Sequence, residues 1–370
     1  MWQTVNLGDV CIISSSKRIF AKEYQTEGIP FYRGKEVIEK HNGNNVSTEL
    51  FISPERYEEI KRKYVVPKKG DILLTSVGTL GVPWIVDEED FYFKDGNLTW
   101  LRCNTEILPG YLYLWLNSAE AKNQIDAKCI GSTQKALTIE TLNKFQITLP
   151  SLELQKKIVS VINPIESKIK SNRKINENLT DQAQAIYQQH FVTKANPDWP
   201  LGHLSDLINV KYGKDHKKLA DGAYPVYGSG GIMRYVEHPL YEKESVLIPR
   251  KGTLNNVMYV NQPFWSVDTM FYTEMKQANV AKFVYHYVKS KDLASMNAGS
   301  AVPSMTTAIL NAMELRIPSE EALFQFENSV APMYEMIKKN EDQSRKLAQL
   351  RDVLLSKLMS GEIDVSNLDL

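Results

Sequence analysis

Two long stretches of the sequence carry the same narrow stripe of apolar residues. In the first, apolar side chains and a few asparagines recur at alternating spacings of three and four from Ile158 to His190. Adding 168 to these numbers gives a second series from Phe326 to Leu358, broken only at Arg351. This spacing predicts a long helix that packs against another helix. The chain therefore contains an internal repeat, which sets its architecture before any motif is considered.

The two predicted helices are expected to bury their stripes against each other, because a lone helix cannot bury its own. Antiparallel pairing would bring Asn172 and Asn340 together, where a buried amide pair can fix the register. The alternative is that both asparagines are solvated on a frayed seam. The residues assigned to the seam are Ile158, Ile162, Ile165, Ile169, Asn172, Leu179, Phe326, Val330, Met333, Ile337, Asn340 and Leu347.

A segment rich in aromatic residues, glycine and short apolar runs precedes each helix. The predicted fold class is therefore α+β, with two mixed α/β domains separated by two long helices that form an antiparallel coiled coil. The pattern predicts a first domain at 1–150, a first helix at 151–192, a second domain at 193–317, a second helix at 318–360 and a short acidic tail at 361–370. The tail is expected to fray.

Within the first domain, short apolar runs predict strands at 72–75, 84–86 and 98–101, and helical spacing predicts a helix at 111–122. Short motifs also recur in the same order in both halves. The matches are 5–8 with 199–202, 78–80 with 252–254, and 131–132 with 299–300, at offsets of 194, 174 and 168. The two domains are thus predicted to share a scaffold and to differ in their loops, which suggests two related but non-identical targets.

The composition is that of an ordinary folded chain, with 24% charged and 43% hydrophobic residues among 370. Lys+Arg and Asp+Glu are equal at 44 each, which counts against nucleic-acid binding by bulk charge alone. Cys11, Cys103 and Cys129 lack metal-ligand spacing and are expected to be reduced thiols. Since there is no secretory leader and no apolar run near 18 residues, a cytoplasmic location is expected.

No catalytic or metal-binding motif is complete in the sequence. Residues 196–199 (Asn-Pro-Asp-Trp) nearly match the Asn-Pro-Pro-Tyr motif of amino-methyltransferases, but the third residue is Asp and no glycine-rich cofactor loop accompanies it. Residues 228–231 do not complete G-x-G-x-x-G, no G-x-x-x-x-G-K-[ST] occurs, and the six histidines have no metalloenzyme spacing. We therefore assign no catalytic and no metal-binding residue, and the sequence argues against an enzyme in its own right.

The repeated motifs and their order along the chain resemble those of the specificity (S) subunit of type I restriction–modification systems. In the first half the resemblance lies in 7–9 (Leu-Gly-Asp), 70–73 (Gly-Asp-Ile-Leu), 78–81 (Gly-Thr-Leu-Gly), 131–134 (Gly-Ser-Thr-Gln) and 150–158 before the long helix. In the second half, 224–232 and 246–253 are similar to the family's second domain. One departure is that Leu323 stands where the usual glutamine, Gln155 in the first half, would precede the second helix.

The resemblance implies a DNA-reading subunit without catalysis of its own. Each globular domain would be a target-recognition domain that reads one half of a bipartite duplex site in the major groove, while the coiled coil sets the spacing. The expected partners are double-stranded DNA, two methyltransferase subunits and, in the full complex, motor-nuclease subunits, with no membrane. No cofactor is expected on this chain, since S-adenosylmethionine, ATP and Mg²⁺ would belong to partner subunits.

Side-chain chemistry suggests which residues would contact DNA. Arg and Lys can bond guanine, Asn and Gln can bond adenine, and Ser, Thr and glycine-loop amides favour phosphates. The candidates are Arg33, Lys35, Ser76, Thr79, Gln134 and Lys135 in the first domain, and Tyr227, Ser229, Arg250, Lys251, Thr253, Asn255 and Ser300 in the second. The alternative for each is a turn former or a solvated side chain.

Two other functions stay open from the sequence. A stand-alone DNA methyltransferase or nuclease would modify or cut DNA without partners. A two-headed protein-binding adaptor would show no sequence preference on DNA, even with methyltransferase subunits present.

Overall fold

The computed structural model describes residues 2–44, 46–128, 136–296 and 304–368. The chain divides into two compact units, the first formed by Met1–Lys174 with Asn340–Leu370 and the second by Ile175–Lys339. Each unit contains one globular domain and one part of each long helix.

The first globular domain alternates short strands and helices. Its elements are β1 (Gln3–Asn6), α1 (Leu7–Val10), β2 (Cys11–Ser14), a 3₁₀ turn (Ala21–Glu23), β3 (Ile29–Tyr32), α2 (Gly34–Asn42), β4 (Phe51–Ile52), α3 (Pro54–Lys63), β5 (Ile72–Thr75), β6 (Pro83–Ile85), β7 (Tyr92–Phe93), β8 (Leu98–Cys103), α4 (Pro109–Asn117), α5 (Ala119–Lys128), α6 (Ile139–Asn143) and β9 (Gln146–Leu149). The predicted strands are present as β5, β6 and β8.

The first long helix, α7 (Leu152–Gln188), follows and ends in a π-helical turn (Gln189–Thr193). The second domain then contains β10 (Leu201–His203), α8 (Leu204–Leu207), β11 (Ile208–Tyr212), β12 (Asp221–Gly228), β13 (Gly231–Val236), β14 (Ser245–Pro249), β15 (Met258–Val260), β16 (Trp265–Ser266), β17 (Met270–Met275), α9 (Ala281–Lys289), α10 (Thr307–Asn311) and β18 (Glu314–Arg316). The second long helix is α11 (Glu320–Met359).

The two domains have the same sheet topology, which confirms the internal repeat and the α+β fold class. The first domain has the strand orders β1-β9, β2-β8-β5-β6 and β4-β3-β7, and the second has β10-β18, β11-β17-β14-β15 and β13-β12-β16. In both domains the only parallel pairs among the described strands are equivalent, β3 with β7 and β12 with β16. The domains differ between β3 and β5, where the first inserts α2 and α3 and the second has only the β12–β13 hairpin.

At the start of each domain, the two halves align with an offset three residues larger than the one predicted from the match of 5–8 with 199–202. Asp9 and Asp206 each accept a hydrogen bond from the backbone N–H three residues earlier, at 3.1 and 2.7 Å. These capping residues are therefore the true counterparts, at an offset of 197. Gly202 lies in β10 and corresponds to Val5, not to Gly8. The glycine match was fortuitous, because the shared feature is a capping carboxylate.

The predicted helix at 111–122 is also wrong in one respect, because it is two helices that meet at Ser118. The backbone of Ser118 is extended, with φ −71° and ψ 160°. Its hydroxyl accepts a hydrogen bond from the N–H of Ala121 at 3.3 Å and so caps the next helix. A serine at this point stops one helix and begins another, which helical spacing alone does not reveal.

Antiparallel pairing of α7 and α11 is confirmed inside each unit. In the first unit, Ile158 and Ile162, near the start of α7, share a core with Leu355 and Leu358, near the end of α11. In the second unit, the end of α7 packs with the start of α11 through Ala183, Tyr187, Leu323 and Phe326. All twelve residues assigned to the seam are buried or half-buried.

Asn172 lies fully buried between the helices, so the alternative of a solvated, frayed seam is wrong there. Its side-chain amide lies 3.4 Å from the carbonyl oxygen of Asn340, 2.8 Å from the Gln343 side-chain oxygen and 3.2 Å from the Ser344 hydroxyl. At Arg351, where the apolar stripe is broken, the guanidinium instead pairs with Glu166 of α7 at 2.9 Å. Both polar positions therefore have partners on the opposite helix.

Residues 363–366 of the C-terminal tail pack on the first unit, so the prediction that the tail frays is wrong for this part of it. Val365 is 5% exposed and belongs to the apolar core of that unit, and Ile363 packs against the same core. The Lys157 ammonium donates to the carbonyl oxygen of Ser366 at 2.6 Å. Two of the four apolar residues of the tail, Ile363 and Val365, therefore hold it against the unit together with the Ser366 contact.

Gln155 anchors the loop before α4 to the first long helix. Its fully buried side chain accepts from the N–H of Leu108 at 2.8 Å and donates to the carbonyl oxygens of Glu106 and Pro150 at 3.0 and 3.1 Å. The corresponding Leu323 is fully buried in the apolar core of the second unit. The sequence departure at this position therefore marks a polar contact in one unit and an apolar contact in the other.

The substitution Gln155→Ala is expected to lower the free energy of unfolding by about 1–3 kcal/mol, because it leaves three buried or partly buried backbone groups without this partner. Urea denaturation followed by circular dichroism measures this change. Gln349→Ala, at an exposed position of α11 in the same unit, is the matched control and should leave the midpoint unchanged. Equal stability of the two variants would contradict the anchoring role.

Candidate nucleic-acid interface

Both domains present the same turn after a central buried strand, β5 in the first and β14 in the second. The turns are 76–81 and 250–254, and each contains a glycine with left-handed backbone, Gly78 at φ 80° and Gly252 at φ 85°. Other residues adopt this conformation at a cost, which explains the glycine in both repeats. Beyond each glycine the chain exposes a threonine, Thr79 and Thr253.

A second segment is tied to each turn by equivalent backbone contacts. Leu137 N–H donates to the carbonyl oxygen of Ser76, and Met305 N–H donates to that of Arg250, both at 2.9 Å. Isolated bridges join Val77 to Ala136 and Lys251 to Ser304. The motif segments 131–134 and 299–300 precede these bridges in sequence, with one and three intervening residues, respectively. Gln134, Lys135 and Ser300 lie outside the described residues.

In the first domain, Arg33 and Ser76 have structural partners that occupy their polar groups. The Arg33 guanidinium donates to Glu36 at 2.7 Å, and Glu36 is fully buried. Burial alone would raise the pKa of Glu36, but hydrogen bonds from the side chain and backbone of Arg33 outweigh it and hold the pKa below its usual value. Ser76 is buried, with its hydroxyl bonded to Thr99. We therefore leave both residues out of the proposed interface.

Two candidates of the first domain are accessible. Thr79 is exposed in the glycine turn. Lys35 is exposed in the first turn of α2, with its ammonium 3.9 Å from the Glu39 carboxylate. A Cβ added at Gly34 would lie 3.9 Å from the Thr75 side chain, so the start of α2 packs on the end of β5 beside the turn. We call Lys35 and Thr79 the first-domain surface. It offers one cationic and one hydroxyl side chain.

In the second domain, the β12–β13 hairpin packs against the glycine turn. A Cβ added at Gly252 would lie only 2.6 Å from the Ser229 hydroxyl oxygen, and Asn256 donates to the Ser229 carbonyl oxygen at 2.7 Å. Lys251 and Thr253 are exposed beside this contact. The structure thus brings together Ser229, Lys251 and Thr253. We call these three residues and Arg250 the second-domain surface.

Arg250 and the two remaining second-domain candidates have defined partners. The Arg250 guanidinium donates to the carbonyl oxygen of Asp268 at 3.1 Å and lies 5.5 Å from the ring centre of Tyr212. Asn255 is exposed, but its side chain donates to Asp292 and accepts from the N–H of Ala294, both at 3.0 Å. Tyr227 is half-buried and its hydroxyl accepts from Gln262 at 3.2 Å. Asn255 and Tyr227 therefore shape the turn and the core, respectively.

Sequence reasoning missed several exposed residues, some of which border these positions. Tyr212 is 53% exposed beneath Arg250, and Ile232 and Met233 are exposed at the hairpin next to Ser229. In the first domain, the Lys17 ammonium lies 4.8 Å from the ring centre of Tyr64. Cation–aromatic pairs such as these join residues that are far apart in sequence, so no local pattern predicts them.

The parts of the chain that the structure describes contain no cluster of three or more His, Cys, Asp or Glu residues arranged to hold a metal ion. Among the same residues, no helix has the length and apolar character needed to cross a membrane.

The fold and these paired turns define a tandem-repeat protein, with two α+β domains carried by an antiparallel helix pair. The family model described as the type I restriction modification DNA specificity domain matches residues 1–181 and 196–329. The chain therefore belongs to this family.

Known proteins of the same kind resemble the chain over different lengths. A putative type I restriction enzyme specificity subunit of Haemophilus influenzae is 33% identical over 195 residues, which cover 51% of this chain and 47% of that protein. The HindI specificity subunit of the same organism is 21% identical, covering 80% of this chain and 87% of that protein. The crystal structure of a type I restriction–modification S subunit from M. genitalium shares the fold, with a TM-score of 0.58, 18% identity and coverage of 97% and 96%.

Proposed function

We propose that this chain is the DNA-binding specificity subunit of a type I restriction–modification complex. Each globular domain reads one half of a bipartite duplex site in the major groove, and the coiled coil sets the spacing between the halves. The observation that carries the proposal is the repeated glycine turn, which exposes a threonine and is bridged to a second chain segment, at Ala136 in the first domain and at Ser304 in the second. Family membership supplies the class of target, since the matching model is that of a DNA specificity domain.

The chain acts as a recognition subunit, because specificity subunits of this family are non-catalytic. Methyl transfer and cleavage then belong to methyltransferase and motor-nuclease subunits that dock on the helices. The chain has equal numbers of acidic and basic residues, 44 of each. Non-specific phosphate binding therefore depends largely on the partner subunits, while the domains supply local contacts.

In the second domain, Lys251 is the cation best placed to contact a phosphate. It is exposed, it lies in the turn two residues after the end of β14, and it adjoins the segment that carries the Ser229 and Thr253 hydroxyls, which also favour phosphates. Arg250 has its guanidinium held by Asp268 and Tyr212, and is therefore suited to contact a base edge in a fixed orientation.

We expect Lys251→Ala to weaken DNA binding and to lower the slope of log K against log salt by about 0.9, the value of one lost phosphate contact. The measurement is fluorescence anisotropy of a labelled duplex, titrated with the complex of this chain and its methyltransferase subunits at several salt concentrations. Lys243→Ala is the matched control, because Lys243 is also exposed but precedes β14, at the opposite end of the strand. An equal change in both variants would contradict the assignment of this face to DNA.

A further inference from the structure

Two of the three cysteines face each other across neighbouring strands of the first domain. Cys11 begins β2 and Cys103 ends β8, and they are direct partners in the antiparallel register. Both are free thiols. No part of the proposed DNA-binding role requires a pair of thiols at this position.

The backbone hydrogen bonds show which kind of pair they form. In the next pair outward, Asn104 N–H donates to the carbonyl oxygen of Val10 at 2.9 Å. Cys11 N–H donates away from β8, to the carbonyl oxygen of Leu7. Since bonded and non-bonded pairs alternate along an antiparallel ladder, Cys11 and Cys103 occupy a non-hydrogen-bonded pair.

A non-hydrogen-bonded pair brings the two side chains close together on one face of the sheet. Its Cα atoms are about 4.5 Å apart, which lies within the range of about 4.4–6.8 Å that a disulfide requires. Hydrogen bonding with the neighbouring Cys103 thiol, together with burial, raises the pKa of the Cys11 thiol. The backbone therefore needs little adjustment to join the two sulfur atoms.

The two thiols differ in access to solvent. Cys11 is 5% exposed and belongs to the apolar core of the first unit. Cys103 is half-buried and is therefore the more accessible of the two residues. This difference assigns Cys103 as the thiol that reacts first and Cys11 as the thiol that resolves the product.

The second domain shows what fills the same position when no thiol chemistry is available. The counterparts of Cys11 and Cys103 are Ile208 and Met275, which are also register partners. The position is therefore a packing site in both repeats, and two cysteines serve there as small apolar residues. Only the first domain can form a covalent bond across these strands.

We propose that Cys11 and Cys103 form a reversible disulfide between β2 and β8 when hydrogen peroxide is present. In the first step, the Cys103 thiolate attacks peroxide, its sulfur is oxidised to a sulfenic acid, and the O–O bond breaks to release water after protonation. In the second step, the Cys11 sulfur attacks the Cys103 sulfur, the S–O bond breaks, and hydroxide leaves with the Cys11 proton as water. One peroxide is reduced to two waters, and the two thiols together lose two electrons and two protons.

The bond would fasten β2, the edge strand of the sheet β2-β8-β5-β6, to its neighbour. The same sheet carries the glycine turn at the end of β5. A dithiol reductant such as dithiothreitol returns two electrons and two protons and restores both thiols.

The test uses the full chain with Cys129→Ser, so that Cys11 and Cys103 are the only cysteines. The folded protein is treated with hydrogen peroxide, its free thiols are blocked with N-ethylmaleimide, and tryptic peptides are analysed by mass spectrometry without reduction. We expect a cross-linked pair of peptides that contains Cys11 and Cys103, and we expect dithiothreitol to abolish it. The midpoint of thermal unfolding should rise on oxidation and return on reduction.

The control adds Cys11→Val, which keeps an apolar side chain at the buried position. In that variant Cys103 should accumulate as a sulfenic acid that dimedone traps, because nothing resolves it. The proposal is overturned if peroxide leaves both cysteines of the Cys129→Ser chain available to N-ethylmaleimide. It is also overturned if Cys103 proceeds to sulfinic acid with no cross-linked peptide. Because this measurement needs no variant at Cys11 or Cys103, poor folding of the control would not affect it.

Discussion

Replacing Lys282 by methionine is expected to lower the free energy of unfolding of the second unit by about 3–5 kcal/mol. The Lys282 side chain is 5% exposed, and its ammonium bonds Glu244 at 3.1 Å and Glu327 at 2.5 Å. It also lies over the rings of Tyr259 and Tyr334, at 5.1 and 5.6 Å. Without the ammonium, two partly buried carboxylates are left facing each other with no cation between them.

Urea denaturation of the full chain, followed by circular dichroism, would measure this loss. Lys218→Met removes an exposed lysine of the same unit and should change the stability by less than about 0.5 kcal/mol. The triple variant Glu244→Gln, Lys282→Met, Glu327→Gln should recover much of the loss, because it removes the unpaired charges as well. If Lys282→Met were as stable as Lys218→Met, Lys282 would not be a structural cation.

Lowering the pH is expected to destabilise the second unit through His286, by at most roughly 5 kcal/mol. Burial, with a smaller effect from the nearby Lys289 charge, lowers the pKa of His286 from 6.5 to about 3. Below pH 6.5, His286 is therefore protonated in the unfolded chain but stays neutral in the folded chain until the pH approaches 3. The contribution of His286 to stability is complete above pH 6.5 and decreases as the pH falls toward 3.

The contacts of His286 explain why it stays neutral. Its Nδ1 lies 2.7 Å from the Gln184 side-chain oxygen and its Nε2 lies 2.9 Å from the Tyr334 hydroxyl. Since the amide oxygen can only accept, Nδ1 carries the proton and Nε2 accepts from Tyr334. A second proton on the ring would take away the acceptor that Tyr334 uses.

The urea midpoint is measured at pH 7 and at pH 4.5 for the unmodified chain and for two variants. The quantity compared is the difference between the midpoints at the two pH values. His286→Gln should show a smaller difference than the unmodified chain, because the titrating group is gone. His238→Gln, at a position with 70% side-chain exposure, should keep the full difference. If all three proteins showed the same pH dependence, the pKa of His286 would not differ between the folded and unfolded states.

The architecture could be predicted because it depends on periodicity. The seam residues recur with a fixed spacing, so the helix pair and its direction follow from sequence, including the contact of Asn172 with Asn340. The glycine turns follow for a similar reason, since Gly78 and Gly252 mark backbone conformations that other residues avoid. Thr79 and Thr253 were named for their side-chain chemistry, and the structure places both in exposed turns beside these glycines.

The polar contacts between each domain and its helices could not be predicted, because the two repeats use different chemistry at the same positions. In the first unit, Gly110 packs against Val159. A Cβ added at Gly110 would lie 3.2 Å from the Val159 side chain. The corresponding residues of the second unit are Lys282 and Glu327, which form an ion pair. A lysine in an amphipathic pattern is ordinarily a solvated residue, so its burial requires knowledge of partners distant in sequence.

The candidate interface shows the same limit at single residues. Ser76 has the chemistry of a phosphate contact, but its hydroxyl is bonded to Thr99, which lies on the neighbouring strand β8. Arg33 was the exception that could have been recognised, because Glu36 lies three residues later in the spacing of a capping box. Local spacing thus identifies caps and turns, whereas cross-strand partners appear only in the fold.

The central claim is that each domain reads its own half of a split DNA site. The most direct test is to express the chain with the methyltransferase subunit of its system and to map methylated adenines across a host genome. The experiment is then repeated with residues 1–150 replaced by the first domain of another specificity subunit. The account predicts one bipartite motif that appears only when the chain is present, and an exchange that changes one half of the motif and leaves the other half unchanged. A normal complex that produces no motif, or an exchange that changes both halves, would contradict it.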